Sequence, residues 1–170
     1  MERLIIRDLR IEDCEIISTA FAEQGWNKPV SQYESYFTEQ KEGVRKILVA
    51  EFDNQFAGYL TIRWKSDYEP FDSKGIPEIV DLNVLIKFRK KGIAAALMDE
   101  AERIVSEKCD CIGIGFGLTG DYGAAQRIYV KRGYIPDGLG MSKSGRFLTY
   151  GDQITVDDDL ALYLTKTFKK

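Results

Sequence analysis

The densest local pattern of usable chemistry in this chain runs from Val80 to Ala94, where an apolar stretch meets the basic, glycine-containing turn Arg89-Lys90-Lys91-Gly92. That turn opens directly into a strong helical pattern. The first four N–H groups of a helix have no internal partner, and its dipole places about half a positive charge at that end. Such a junction suits an anion, phosphate above all. Gly92 and the small Ala94, Ala95 and Ala96 allow close backbone approach, while Arg89, Lys90 and Lys91 add charge. Taken alone, the turn also reads plainly as a solvated basic loop. Histidine is absent altogether, which removes Ser-His-Asp and Cys-His catalysis and most zinc chemistry. Cys14, Cys109 and Cys111 are odd in number and lack zinc-type spacing, so free thiols and no metal are expected.

These groups need elements to position them. Leu4 to Arg7 reads as a strand, and Glu12-Asp13 opens a helix with Ile16, Ile17, Ala20 and Phe21 at helical spacing. Pro29 to Gln40 reads as an aromatic helix ended by Gly43. Val44 to Phe52 and Gln55 to Lys65 form a hairpin about Asp53-Asn54. A polar loop, Ser66 to Pro77, precedes a strand at Glu78 to Ile86, a helix at Ile93 to Lys108, a strand at Cys109 to Leu118 and a helix at Tyr122 to Arg132. The late strand Leu160 to Thr165 completes the sheet. With 170 residues, 44% hydrophobic and 30% charged, one mixed α/β domain over residues 1–170 is expected. The net charge of −3 argues against a general nucleic-acid binder. No apolar run of membrane length or signal-peptide h-region occurs, so a cytoplasmic protein with no membrane or nucleic-acid partner is expected.

Arg89-Lys90-Lys91-Gly92-Ile93-Ala94 resembles the R/Q-x-x-G-x-G/A signature of the GNAT superfamily of N-acyltransferases. Leu82-x-Val84 resembles the strand before it, Glu78-Ile79 that strand's start, and Ala125-x-x-Ile128-Tyr129-x-x-x-Gly133-Tyr134 the family's later motif. The resemblance implies a mixed, mostly antiparallel central sheet with a splayed parallel strand pair and flanking helices. It implies acetyl-CoA as co-substrate, its pyrophosphate wrapped by N–H groups from about Lys90 to Ala95 and its pantetheine arm lying along Leu82, Asn83 and Val84, with Ala125 nearby. It further implies an oxyanion donor at the Val84 N–H and direct transfer in a ternary complex to a small-molecule or peptide amine.

An amine must lose a proton before it attacks, at a cost of about 4–5 kcal/mol at pH 7. The resemblance places a general base at Glu78, with Asp81 or a water relay as alternatives. Period-two geometry puts residues 78, 80, 82 and 84 on one strand face, so Glu78 and Asp81 are expected to point to opposite sides. Tyr129 matches the tyrosine that protonates the departing thiolate, a role a phenol suits. Tyr122 stands where the family often has asparagine. Gly113, Gly115 and Gly117 alternate with Ile112, Ile114 and Phe116, leaving one bare face for a ligand or a packed helix.

Other readings stay open. Gly115-x-Gly117-x-x-Gly120, with Asp137 beyond it, literally matches the dinucleotide-binding fingerprint, and a non-catalytic acyl-CoA-binding module or a homodimer is also compatible. The acceptor side is expected from Trp26, Tyr33, Tyr36 and Phe37, the loop Asp67 to Asp72 and the region Met141 to Asp159. Tyr33, Tyr36 and Phe37 equally fit core packing, and the acidic runs equally fit solvated loops.

Overall fold

The protein is described by a computed structural model covering residues 1–169. Its strands are β1 (Leu4–Asp8), β2 (Arg45–Phe52), β3 (Gln55–Arg63), β4 (Glu78–Val84), β5 (Cys111–Gly117), β6 (Ile135–Pro136), β7 (Ser142–Lys143), β8 (Arg146–Phe147) and β9 (Leu160–Thr167). Among the described residues they form one sheet in the order β1-β2-β3-β4-β5-β9-β7-β8, with β6 also pairing to β9. Every pairing is antiparallel except β4 with β5. That parallel pair is brief: only Glu78↔Gly113 and Ile79↔Ile114 are in register, after which the strands part. No helix of the described residues is long and apolar enough to cross a membrane.

Two helical layers sandwich the sheet. On one face lie α1 (Asp13–Glu23) and α2 (Val30–Lys41), packed with Ile47, Val49, Phe56 and Tyr59. On the other lie α4 (Ile93–Ser106) and α5 (Gly123–Lys131), over Leu60, Ile62, Ile79, Ile112 and Ile114. In α4 the buried side chains Ile93, Leu97, Met98, Ala101 and Val105 fall on one stripe. Burying each large aliphatic chain contributes roughly 1.5–3 kcal/mol, and this anchors the helix start at Ile93. The β2–β3 turn has both Asp53 and Asn54 at positive φ, the backbone that a two-residue hairpin favours and that these residues tolerate.

Several expectations need correction. Ile16 lies 53% exposed, so the buried stripe of α1 is Cys14, Ile17 and Phe21. The loop after β3 contains a short helix, α3 (Glu69–Asp72). The strand at Glu78 ends at Val84, because Leu85 leads into a 3-10 turn at Ile86–Phe88. The glycine face of β5 is neither bare nor under a long helix. Aromatic rings pave it: Phe71 of α3 over Gly113, Tyr163 of β9 over Gly115 and Tyr122 over Gly117.

The largest correction concerns β4. Between Tyr59 and Thr61 of β3 the register slips, with Val80 opposite Thr61 and Asn83 opposite Tyr59. The extra β4 residue makes a bulge centred near Asp81, whose φ is +66°. A bulge resets side-chain alternation. Glu78, Asp81 and Asn83 therefore share the face toward α1 and α2, not opposite faces.

Gly58 is the partner that lets the bulge seat. A β-carbon there would lie 2.6 Å from Asn83 O and 3.0 Å from Val84 Cα. Both neighbours are backbone and cannot rotate away. Gly58→Ala is expected to destabilise the protein by about 1–3 kcal/mol, read as a lower urea midpoint at unchanged denaturant slope.

Candidate active site

At the start of α4, Gly92 takes φ +76° as the N-cap and Lys90 takes φ +62°. These left-handed residues turn successive N–H groups to one side. The Arg89 N–H closes the preceding 3-10 turn on Ile86 O, and the Ala96 N–H returns to Gly92 O at 3.0 Å. Between them, the N–H groups from Lys90 to Ala95 donate to nothing among the described residues. Gly92 and Ala95 are exposed and Ala94 is partly so. The basic side chains behave differently from one another. The Arg89 guanidinium folds back to Val84 O at 3.4 Å and lies 5.7 Å from the Trp26 ring, while Lys91 pairs with Glu2 at 3.1 Å. Lys90 is exposed.

The open edge of β4 faces the gap left by β5. The Leu85 N–H donates to Ala57 O at 2.8 Å, so strand alternation turns the Val84 N–H and C=O away from β3 and toward that gap. Leu82 and Val84 border the apolar core beneath α4. Asn83 Nδ2 donates to Asp81 Oδ1 at 2.6 Å.

Glu78 is 8% exposed, and burial pushes its carboxyl above the usual range. Ser66 Oγ donates to its Oε2 at 2.5 Å. Arg63 and Arg45 favour the charged form, and Asp67 opposes it. Asp81 sits in a different setting. Its Oδ2 accepts from Tyr59 at 2.6 Å, Tyr36 at 2.8 Å and Gln32 at 3.2 Å, and Lys28 lies 4.0 Å from Oδ1. Both carboxylate oxygens are thus taken up by groups that hold the bulge in place.

Tyr129 is 6% exposed and its hydroxyl bonds to no described residue. Burial, with Tyr122 nearby, pushes it up to about 12, so it stays protonated at neutral pH. Its ring lies 6.4 Å from Phe116 at the end of β5, and Ala125 borders the same core. Tyr122 stacks on Gly117 and reaches Asp158 at 3.3 Å.

A family model described as Acetyltransferase (GNAT) family matches residues 10–134. The chain belongs to this family. GNAT folds of known structure agree along nearly its whole length. An N-acetyltransferase from Staphylococcus aureus Mu50 has a TM-score of 0.72 at 15% identity, covering 98% of this chain and 99% of that one. A ribosomal-protein-alanine N-acetyltransferase from Brucella melitensis gives 0.69 at 18%, covering 96% and 99%. A Salmonella typhimurium acetyl transferase that modifies the N-terminal serine of ribosomal protein L7/L12 gives 0.72 at 10%, covering 98% and 95%. Among curated protein sequences none matches. The G-x-G-x-x-G match is thus incidental to a GNAT strand: its first two glycines, Gly115 and Gly117, lie under aromatic rings, and β9 pairs antiparallel where a dinucleotide fold needs a parallel strand.

Sequence reasoning missed three contributors. Gly58 did carry a signal, since a lone glycine inside a strand pattern marks a bulge or close approach. Ser66 carried none, being one polar residue in a polar loop. Gln126, whose Nε2 donates to Gly117 O at 2.8 Å and so ties α5 to the end of β5, was likewise silent. Of the aromatic residues expected on the acceptor side, Tyr33 is wholly buried in the core, while Tyr36 reaches Asp81.

The buried Glu78 has a stability signature. Its folded form binds a proton more tightly than the unfolded chain, so its contribution is fully present below about pH 4.3 and is lost as pH rises through the raised folded value. Glu78→Gln removes that loss. It is expected to raise the melting temperature at pH 7–8, and the gain over wild type should vanish near pH 4.

Proposed function

We propose that this chain is an acetyl-CoA-dependent N-acetyltransferase that moves an acetyl group to a primary amine by direct transfer in a ternary complex. The parting of β4 from β5 after Ile79, beside six consecutive free N–H groups, carries the reading. An extended arm can lie in that gap as a strand would, along Leu82, Asn83 and Val84. Of these, Asn83 only borders the gap, its amide being held by Asp81 and its backbone turned to Tyr59 of β3, so the backbone contacts fall to Leu82 and Val84. The pyrophosphate end then meets the N–H groups of Lys90, Lys91, Gly92, Ile93, Ala94 and Ala95, where the helix dipole favours negative charge. Arg89 flanks the arm through its bond to Val84 O, and Ala125 gives small-residue clearance from α5.

The acceptor amine enters from the face of Glu78. An ammonium gives one proton to the Glu78 carboxylate, leaving a lone pair free to attack the thioester carbonyl. As the C–N bond forms, the carbonyl oxygen becomes an oxyanion for which the Val84 N–H is the preorganised donor. Collapse breaks the C–S bond. Tyr129 passes its proton to the departing thiolate and regains one, through solvent, from the nitrogen that has become an amide. Glu78 releases its proton to water. The products are the N-acetyl amide, free coenzyme A and one net proton. A phenol suits the acid role because it is a donor O–H that burial keeps protonated at neutral pH, so the proton is in place when the thiolate departs. Either a peptide N-terminus or a small-molecule amine satisfies this chemistry.

Acetyl-CoA is expected to raise the melting temperature where NAD(H) does not, and the reverse result would overturn the reading. Tyr129→Phe should lower kcat by about a hundredfold with little change in acetyl-CoA affinity; equal losses in both would make Tyr129 structural. A panel of amines assayed for thiol release separates an enzyme from a binding module, since tight acetyl-CoA binding without turnover on any amine would favour the module.

A further inference from the structure

The loop between β3 and β4 does more than cover the sheet. Ser66 is 3% exposed, and its hydroxyl has two neighbours. It accepts the Tyr68 N–H at 2.9 Å and stands 2.5 Å from Glu78 Oε2. With a lone pair engaged by that backbone donor, the single hydroxyl proton has one acceptor within reach, the carboxylate. Oε2 is thereby occupied, whereas Oε1 has no partner among the described residues.

The loop is itself fixed. Tyr68 stacks on Tyr163 at 3.7 Å and 7°, meets Phe71 edge-on at 4.8 Å, and donates its hydroxyl to Asp137 at 2.6 Å. Phe71 in turn lies over Gly113, the β5 residue in register with Glu78. Ser66 is therefore held by a rigid aromatic wall, not by a solvated turn, and its hydroxyl has little freedom to follow a carboxyl that rotates.

Resting on the acetyltransferase reading above, we propose that Ser66 is the positioning residue of the base: it holds Oε2 of Glu78 and leaves Oε1 to take the proton of the acceptor amine. The two oxygens of Glu78 then differ in function. Proton uptake at Oε1 leaves the Ser66 bond intact, so the carboxyl does not turn between the charged and neutral forms, and each cycle begins from the same geometry. The hydroxyl also favours the charged form of a group that burial disfavours. The other ionisable groups facing Glu78 are Arg63 of β3, Arg45 of β2, Asp67 of the loop and Tyr163 of β9. The two arginines act in the same sense as Ser66. Asp67 acts against it, as does Tyr163 if ionised, although burial and the surrounding acids hold that phenol near 12 and hence neutral.

The experiment is the pH profile of kcat/KM on the full chain, using an amine identified by the thiol-release panel. Ser66→Ala is expected to move the acid limb up by about one pH unit, so that the rate below the limb falls about tenfold. Acetyl-CoA affinity and the alkaline plateau should change by less than about threefold. Ser66→Thr, which keeps a hydroxyl, should restore the limb. Ser66→Cys, of similar size but a far weaker donor, should behave like alanine and serves where the alanine variant folds poorly. An unmoved limb in folded Ser66→Ala or Ser66→Cys protein overturns the inference. Glu78→Gln keeps the two layers distinguishable. Loss of the limb in Glu78→Gln with no shift in the Ser66 variants overturns the role of Ser66 alone, whereas persistence of the limb in Glu78→Gln overturns Glu78 as the base.

Discussion

One carboxylate sets the geometry on which the site depends. Asp81 sits in a left-handed backbone conformation that costs an ordinary residue about 1–2 kcal/mol, and it is held there by Tyr59, Tyr36, Gln32 and Asn83. Tyr59 is fully buried and itself receives the Tyr33 hydroxyl. The left-handed turn adds the extra residue of the bulge, and the bulge turns β4 away from β5. From that departure follow the open edge at Val84, the gap along β5 and the common face of Glu78 and Asp81.

A second chain of contacts fixes the same strand from the other side of the bulge. Arg45, 6% exposed, stacks 4.3 Å from the Tyr36 ring and donates to Thr61 Oγ1 at 2.8 Å, and Thr61 donates onward to Val80 O at 2.5 Å. An arginine buried this deeply needs compensation, and Glu39 supplies it at 2.5 Å. The polar groups under α2 thus bracket the bulge at Val80 and Asp81. The apolar layer under α4 carries most of the burial, while the polar layer specifies where one strand must bend. This division explains why the aromatic residues of α2 serve both packing and position: Tyr33 is core, whereas Tyr36 stacks on Arg45 and bonds Asp81.

Much of this was legible in the sequence for identifiable reasons. The stripe Ile93, Leu97, Met98, Ala101 and Val105 gives a helical period that tertiary context does not override, and Asp53-Asn54 between two β-rich runs fixes the hairpin. The basic turn was readable because a glycine before a helix start constrains the backbone whatever surrounds it. What periodicity could not supply was any break in periodicity. Placing Glu78 and Asp81 on opposite faces assumed a regular strand, and the bulge depends on Gly58, twenty and more residues away in sequence. The glycine face of β5 was open to a ligand or a helix on local grounds. Its actual cover, Phe71, Tyr122 and Tyr163, comes from three separate segments that only the fold brings together. Ser66 was invisible for the same reason, since nothing local links a loop serine to a strand carboxylate.

The departure of β5 from β4 also has a meaning for the folded chain as a material. An unpaired strand edge normally lies at the rim of a sheet, where it invites pairing with other molecules. Here the unpaired edge of β4 lies in the middle, with β3 on one side, β5 across the gap, and α4 lying over both strands. Another protein's strand would have to enter between two halves of one sheet to reach it. The fold can therefore keep the Val84 N–H unpaired without the adhesive hazard that a free strand edge carries elsewhere, because that edge is flanked by the two halves of its own sheet.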